Sequence, residues 1–168
     1  ATSLAVSGGQ VWIGGSAGFS DDKLWTTLGP EVADKTLTKS LGLAFYSQDG
    51  NLPGLKEALA QGKAAYPDHI IDQSFMFGVQ AARMLVRALE DAGSTDPQKV
   101  NAAFHALKFK AGAPEIVLPI ISGDMGYDDK GMLTGTSPVF IQWKDGQKHI
   151  VYPEAVASGP AIIKGVKE

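Results

Sequence analysis

Val11, Trp12 and Ile13, three apolar β-favouring residues, run directly into Gly14-Gly15-Ser16-Ala17-Gly18-Phe19 and then into Ser20-Asp21-Asp22. Few folds accept that order. The apolar triplet reads as a buried parallel strand. Gly14, Gly15 and Gly18 leave backbone accessible and permit positive φ. Ser20 reads as a helix N-cap, with Asp21 and Asp22 complementing the positive end of the helix dipole. The stretch therefore predicts a strand, a glycine-rich loop and a helix start, the repeating unit of an α/β fold. In open α/β sheets, ligands settle where such loops leave the carboxyl ends of strands, so this loop is the first candidate binding surface.

The rest of the chain supplies matching elements. Ala1–Gly9 reads as the tail of a helix with no visible cap, which carries the expectation that the fold begins upstream of residue 1. Leu24, Trp25 and Leu28 predict a short helix stopped by Gly29-Pro30, and Thr36–Tyr46 reads as extended. Pro53 opens a helix whose buried side is Leu55, Ala58, Leu59 and Tyr66. Asp72 or Ser74 caps the longest helix, Phe75–Ala92. Its inner stripe is expected at Phe75, Val79, Ala82, Val86 and Leu89, with Gln80, Arg83, Arg87 and Glu90 solvated. Gly93 ends it, and Asp96-Pro97 starts another helix with Val100, Ala103, Phe104 and Leu107 inward. Ile116–Ile121 is extended, Tyr127–Gly131 is a turn, and Asp145-Gly146 between two β-rich runs signals a hairpin.

Composition narrows the function classes. With 168 residues, 44% hydrophobic and 20% charged, the chain has the material for a true core. Its net charge of −3 and scattered basic residues leave no footprint for nucleic acid or an anionic membrane. The absence of cysteine excludes disulfides and thiolate metal sites. The acidic residues of Asp124–Asp129 lack the ladder a calcium loop needs, and no paired histidines occur at metal-binding spacing, so neither a metal nor a cofactor is expected.

Gly14-x-Ser16-x-Gly18 fits the elbow that presents a nucleophilic serine in α/β-hydrolases, with His69, His105 and His149 as possible bases. Against it, the elbow helix should begin at once, whereas Phe19-Ser20-Asp21-Asp22 intervenes. A serine esterase is therefore the alternative reading, and a glycine-rich binding turn the preferred one.

The signals resemble, in order and spacing, the C-terminal half of the type I periplasmic solute-binding proteins of ABC importers, the branched-chain amino-acid-binding protein-like family. They are Val11–Gly15 leading to Phe19-Ser20-Asp21, Arg87–Gly93, Ser94–Val100, Tyr127–Gly131, Val139–Gly146 and Val151-Tyr152-Pro153. The resemblance implies two α/β lobes, parallel sheets flanked by helices, closing on a small solute, with the N-terminal half of the fold absent from this chain. Residues 1–45 would belong to the second lobe, 46–137 to the first, and 138–168 would be a closing hairpin returning to the second. It further implies a periplasmic, non-catalytic protein, a membrane permease as partner, and a companion polypeptide or swapped chain supplying the missing half.

The same resemblance places Ser16, Ala17, Gly18 and Phe19 at the ligand, with Ser74 and Phe75 near the hinge. Amino-acid receptors of the family carry an acid where Ala17 stands, and no carboxylate replaces it within Gly14–Phe19. A buried α-ammonium group left unpaired would cost several kcal/mol. The expected solute is thus neutral or anionic, such as an aromatic or aliphatic carboxylate, rather than an α-amino acid. The family's Tyr-Asp pair in the long helix is replaced by Val79-Gln80.

Overall fold

The computed structural model describes residues 12–14 and 18–161. The chain divides into two compact units, Ala1–Asn51 with Pro138–Glu168, and Leu52–Ser137.

In the first unit, β1 (Trp12–Gly14) pairs in parallel with β2 (Ser40–Ala44), Ile13 standing opposite Leu41. β2 then pairs antiparallel with β6 (Val139–Lys144), and β6 with β7 (Gln147–Tyr152), giving the order β1-β2-β6-β7. The β6–β7 hairpin turns at the predicted Asp145-Gly146, with φ of +51° and +81°. Positive φ at both central residues is what a tight hairpin turn matching the strand twist requires.

Val139, Ile141 and Trp143, alternate residues of β6, are all fully buried on one face. Trp143 joins Ala33 and Leu37 in a cluster against which Phe19, Leu24, Trp25 and Leu28 pack. Leu24, Trp25 and Leu28 belong to α1 (Leu24–Leu28) and Ala33 to α2 (Pro30–Thr36), with the intervening Gly29 at φ +78°. Pro30 thus stops one helix by opening the next.

Two local expectations are corrected here. Ser20 is not the cap of α1: the N-cap position is Lys23, whose N–H is held 2.9 Å from Asp21 Oδ1, and Ser20 is buried. The stretch from Thr36 is not extended throughout, since Thr36 closes α2, Leu37–Lys39 is a 3₁₀ turn and only Ser40–Ala44 is strand. The physical reason is side-chain back-bonding, from Thr36 Oγ1 to the Val32 carbonyl at 2.7 Å and from Ser40 Oγ to the Thr36 carbonyl at 2.9 Å. These bonds give the helix end an alternative to the extended chain.

The second unit is built from α3 (Pro53–Ala65), α4 (Gln73–Ala92) and α5 (Pro97–Ala106). A small antiparallel sheet of β3 (Lys108–Phe109), β4 (Met125–Tyr127) and β5 (Leu133–Thr134) completes it. The caps fall where the sequence puts them. Asp72 Oδ1 accepts the Phe75 N–H at 2.9 Å, Asp96 Oδ1 accepts those of Gln98 and Lys99 at 3.1 Å, and Gly93 ends α4 at φ +54°. Residues 116–120 are all buried beneath these helices. Tyr66, expected inward, is 51% exposed.

The face assigned to α4 is also corrected. Met76, Gln80, Met84 and Ala88, at i, i+4, i+8 and i+12, are the buried positions, whereas Ala82 is exposed and Val86 is 53% exposed. Phe75, Val79 and Leu89 are half-buried. This helix is apolar on two opposite sides, with charge confined to Arg83, Arg87, Glu90 and Asp91. Periodicity alone therefore cannot choose which side turns inward. Among the described residues only β1 and β2 pair in parallel, so the architecture is mixed α/β with small sheets.

Candidate functional site

In the first unit the candidate loop leaves the carboxyl end of β1. Ser16 and Ala17 lie outside the described residues; Gly18 is exposed and Phe19 half-buried. Phe19 is anchored on both sides. Its ring lies over Gly42 of β2, and its carbonyl accepts the Trp143 Nε1–H at 3.4 Å. The next carbonyl, of Ser20, accepts from Lys148 Nζ at 2.5 Å, and the same ammonium sits 2.9 Å from Asp22 Oδ1.

The Lys148 side chain is 1% exposed and that of Asp22 14%. A charge so placed must be paired and fully bonded to be tolerated. The rings of Tyr46 and Trp143, with centroids 5.6 and 5.9 Å from Nζ, complete its surroundings. Trp25 stacks on Trp143 at 6.1 Å.

Alongside lies a pocket of about 100 Å³ bordered by Asp22, Gln48, Asp49, Gly146, Gln147 and Lys148. Ser47 Oγ lies 2.5 Å from both Asp49 Oδ1 and the Lys148 carbonyl oxygen, and His149 Nδ1 lies 2.6 Å from Asp49 Oδ2. These contacts tie the 47–49 turn to the β6–β7 hairpin. They do not form a nucleophile–base relay, because the Ser47 hydroxyl meets the carboxylate and the backbone rather than the imidazole.

In the second unit, Ser74 is exposed in the first turn of α4 and Phe75 is half-buried. The Phe75 ring meets Tyr66 edge-on at 6.2 Å and lies so near Gly62 of α3 that a Cβ there would stand 3.2 Å from Cε1. Gln80, expected on the solvated face, is 3% exposed and works as a latch. Its Oε1 accepts the Val117 N–H at 2.9 Å and its Nε2 donates to the Glu115 carbonyl at 3.4 Å. Arg83 is likewise drawn in, donating from Nη1 to the carbonyls of Pro114 at 3.0 Å and Gly54 at 3.3 Å.

Arg87 remains on the surface as expected. Its guanidinium is raised above the ordinary value by its hydrogen bond to Asp91, with attraction from Asp91 and Glu115 adding to this. Between Arg83, Val86, Arg87, Glu57 and Glu115 runs an open groove of about 480 Å³.

Of the six expected ligand residues, Gly18 and Phe19 thus fall in one unit and Ser74 and Phe75 in the other. Sequence reasoning missed Lys148, Trp143 and the pairing role of Asp22. A signal for Lys148 was present: it stands two residues before the buried Ile150 of β7, and period two puts both on the same face. Among the described residues no group of three or more metal-ligating side chains converges.

The chain belongs to the periplasmic binding protein family, whose model matches residues 6–147. This is the type I family that includes the branched-chain amino acid binding proteins. No curated protein matches the chain. The family's members bind small solutes, are generally not enzymes and are typically periplasmic. No helix among the described residues is long and apolar enough to cross a membrane.

Proposed function

We propose that this chain is part of the substrate-binding component of an ABC-type importer, working in the periplasm and delivering a small carboxylate to a membrane permease. The observation that carries this reading is a family match over residues 6–147 joined to a ligand loop, Gly14–Phe19, that holds no carboxylate. An α-amino acid would bring an ammonium group with no countercharge on that loop, whereas an aromatic or aliphatic acid brings none. In this reading Ser16, Ala17 and Gly18 contact the solute through backbone groups and Phe19 through its ring. Ser74 and Phe75 contribute from near the hinge. Ligand contacts made from both lobes favour the closed state, which the permease recognises.

The lobe assignment follows the family: residues 1–45 and 138–168 in the second lobe, 46–137 in the first. The outward apolar stripe of α4, with Leu85 48% and Val86 53% exposed, supports completion of the fold by further polypeptide, a companion chain or a second copy.

Matched ligand pairs test the reading. Leucine against 4-methylpentanoate, and phenylalanine against 3-phenylpropanoate, each differ only by the α-ammonium group. The expected outcome in a thermal unfolding assay is stabilisation by a deaminated acid, about 2.7 kcal/mol at 100 times its Kd, and none by its amino-acid twin. Stabilisation by the amino acids alone would overturn the ligand class. Stoichiometric labelling of Ser16 by a fluorophosphonate would overturn the non-catalytic assignment.

A further inference from the structure

We infer that Lys148 is a positioning residue for the ligand loop, and that with Trp143 it fixes the Phe19–Asp22 turn in the geometry a solute meets; this rests on the assignment of that loop to ligand binding. Lys148 and Trp143 stand on adjacent strands and face each other across the β6–β7 pair. Each sends a donor into the same turn, Trp143 Nε1–H to the Phe19 carbonyl and Lys148 Nζ to the Ser20 carbonyl.

The Lys148 ammonium also grips the Asp22 carboxylate at 2.9 Å. Three successive points of the turn, at residues 19, 20 and 22, are thereby held by one hairpin. Among the described residues no strand or helix spans residues 18–22. β1 ends at Gly14 and α1 begins at Leu24, so side chains supply what a sheet or helix would otherwise supply. A buried ammonium is well suited to this: it donates in more than one direction at once, here to the Ser20 carbonyl and the Asp22 carboxylate, and its desolvation makes any slack costly. The Tyr46 and Trp143 rings confine the ammonium further.

The turn at residues 19–22 is therefore held from the opposite end of the sequence, more than 120 residues away. It follows that the closing hairpin, beyond completing the sheet, controls affinity at that loop through the backbone of the turn, Asp22 and the packing of Phe19 against the Trp143 cluster.

Amide hydrogen exchange tests this without requiring the solute to be known. In Lys148→Gln, exchange in residues 18–23 is expected to rise by about tenfold or more, while residues 40–44 of β2 keep their protection. Trp143→Phe keeps the ring and deletes one donor, and it should give a smaller rise in the same segment. Lys144→Gln, an exposed change on the same hairpin, should leave exchange unaltered. With 3-phenylpropanoate as the probe, Lys148→Gln should weaken binding by about tenfold or more, and Lys148→Arg, which keeps the charge, should recover part of the loss.

Wild-type protection of residues 18–23 in Lys148→Gln would overturn the inference, as would an equal rise across the whole sheet or undiminished probe affinity in that variant. If Lys148→Gln does not fold, Trp143→Phe decides in the same way. Should the wild-type chain ignore 3-phenylpropanoate while the exchange results hold, the ligand class fails and the positioning role stands.

Discussion

The ring of Phe19 lies over the α-carbon of Gly42, so closely that a Cβ at residue 42 would stand 2.2 Å from both Cδ1 and Cε1. The glycine in β2 is thus what lets the candidate ligand residue rest against the sheet. Gly42→Ala must push the ring away, at about 1–3 kcal/mol for overpacking. The same substitution made together with Phe19→Ala should cost about 0.5 kcal/mol or less, because the colliding ring is gone and only Ile141 Cγ1, 3.3 Å from the added Cβ, has to give slightly. Urea unfolding of the two single variants and the double variant measures this; equal costs in both backgrounds would refute the contact.

Gln80 satisfies a buried backbone N–H at Val117 and a carbonyl at Glu115. Gln80→Leu keeps much of the volume and strands both groups, so it should destabilise the chain by about 1–3 kcal/mol. Chemical denaturation checks it, with Gln98→Leu on the exposed start of α5 as a control expected within about 0.5 kcal/mol of wild type.

Burial raises the Tyr127 phenol above its ordinary value of 10.0. Its ring lies 5.0 Å from that of Phe104. A raised folded value means that the folded chain holds the proton more tightly. The stability linked to it is therefore fully present below the unfolded tyrosine value, and is lost as pH rises through the folded one. Ultraviolet titration of the four tyrosines should show Tyr127→Phe removing a phenol from the late, alkaline part of the curve. Loss of a phenol from its early part would contradict the burial argument.

Two glycines should respond with opposite signs. Gly146 sits at φ +81°, where any other residue is strained, so Gly146→Ala should cost about 1–2 kcal/mol. Gly78 lies inside α4 with open space around its α-carbon, so Gly78→Ala should add about 0.5–1 kcal/mol. Thermal unfolding of the pair checks both signs together.

The sequence disclosed what is governed by local chemistry. Asp72, Asp96 and Gly93 terminate helices where their side chains or lack of one allow it, and Asp145-Gly146 makes its turn from positive φ alone. It misled where the outcome depends on distant partners. The inward face of α4 is chosen by residues 114–118, which draw in Gln80 and Arg83 and leave Val86 outside. Ser20 and Asp22 read locally as helix-start residues, yet Lys148, over 120 positions later, takes the Ser20 carbonyl and the Asp22 carboxylate into a buried cluster. No window short enough to show periodicity spans that distance.

Native mass spectrometry with 3-phenylpropanoate and phenylalanine present together is the most direct test of the central claim, that this chain helps form a receptor for a small carboxylate. The account predicts a species heavier than the 17.7 kDa chain, carrying the deaminated acid and not the amino acid. A folded 17.7 kDa monomer that takes up neither compound, or takes up phenylalanine alone, would contradict it.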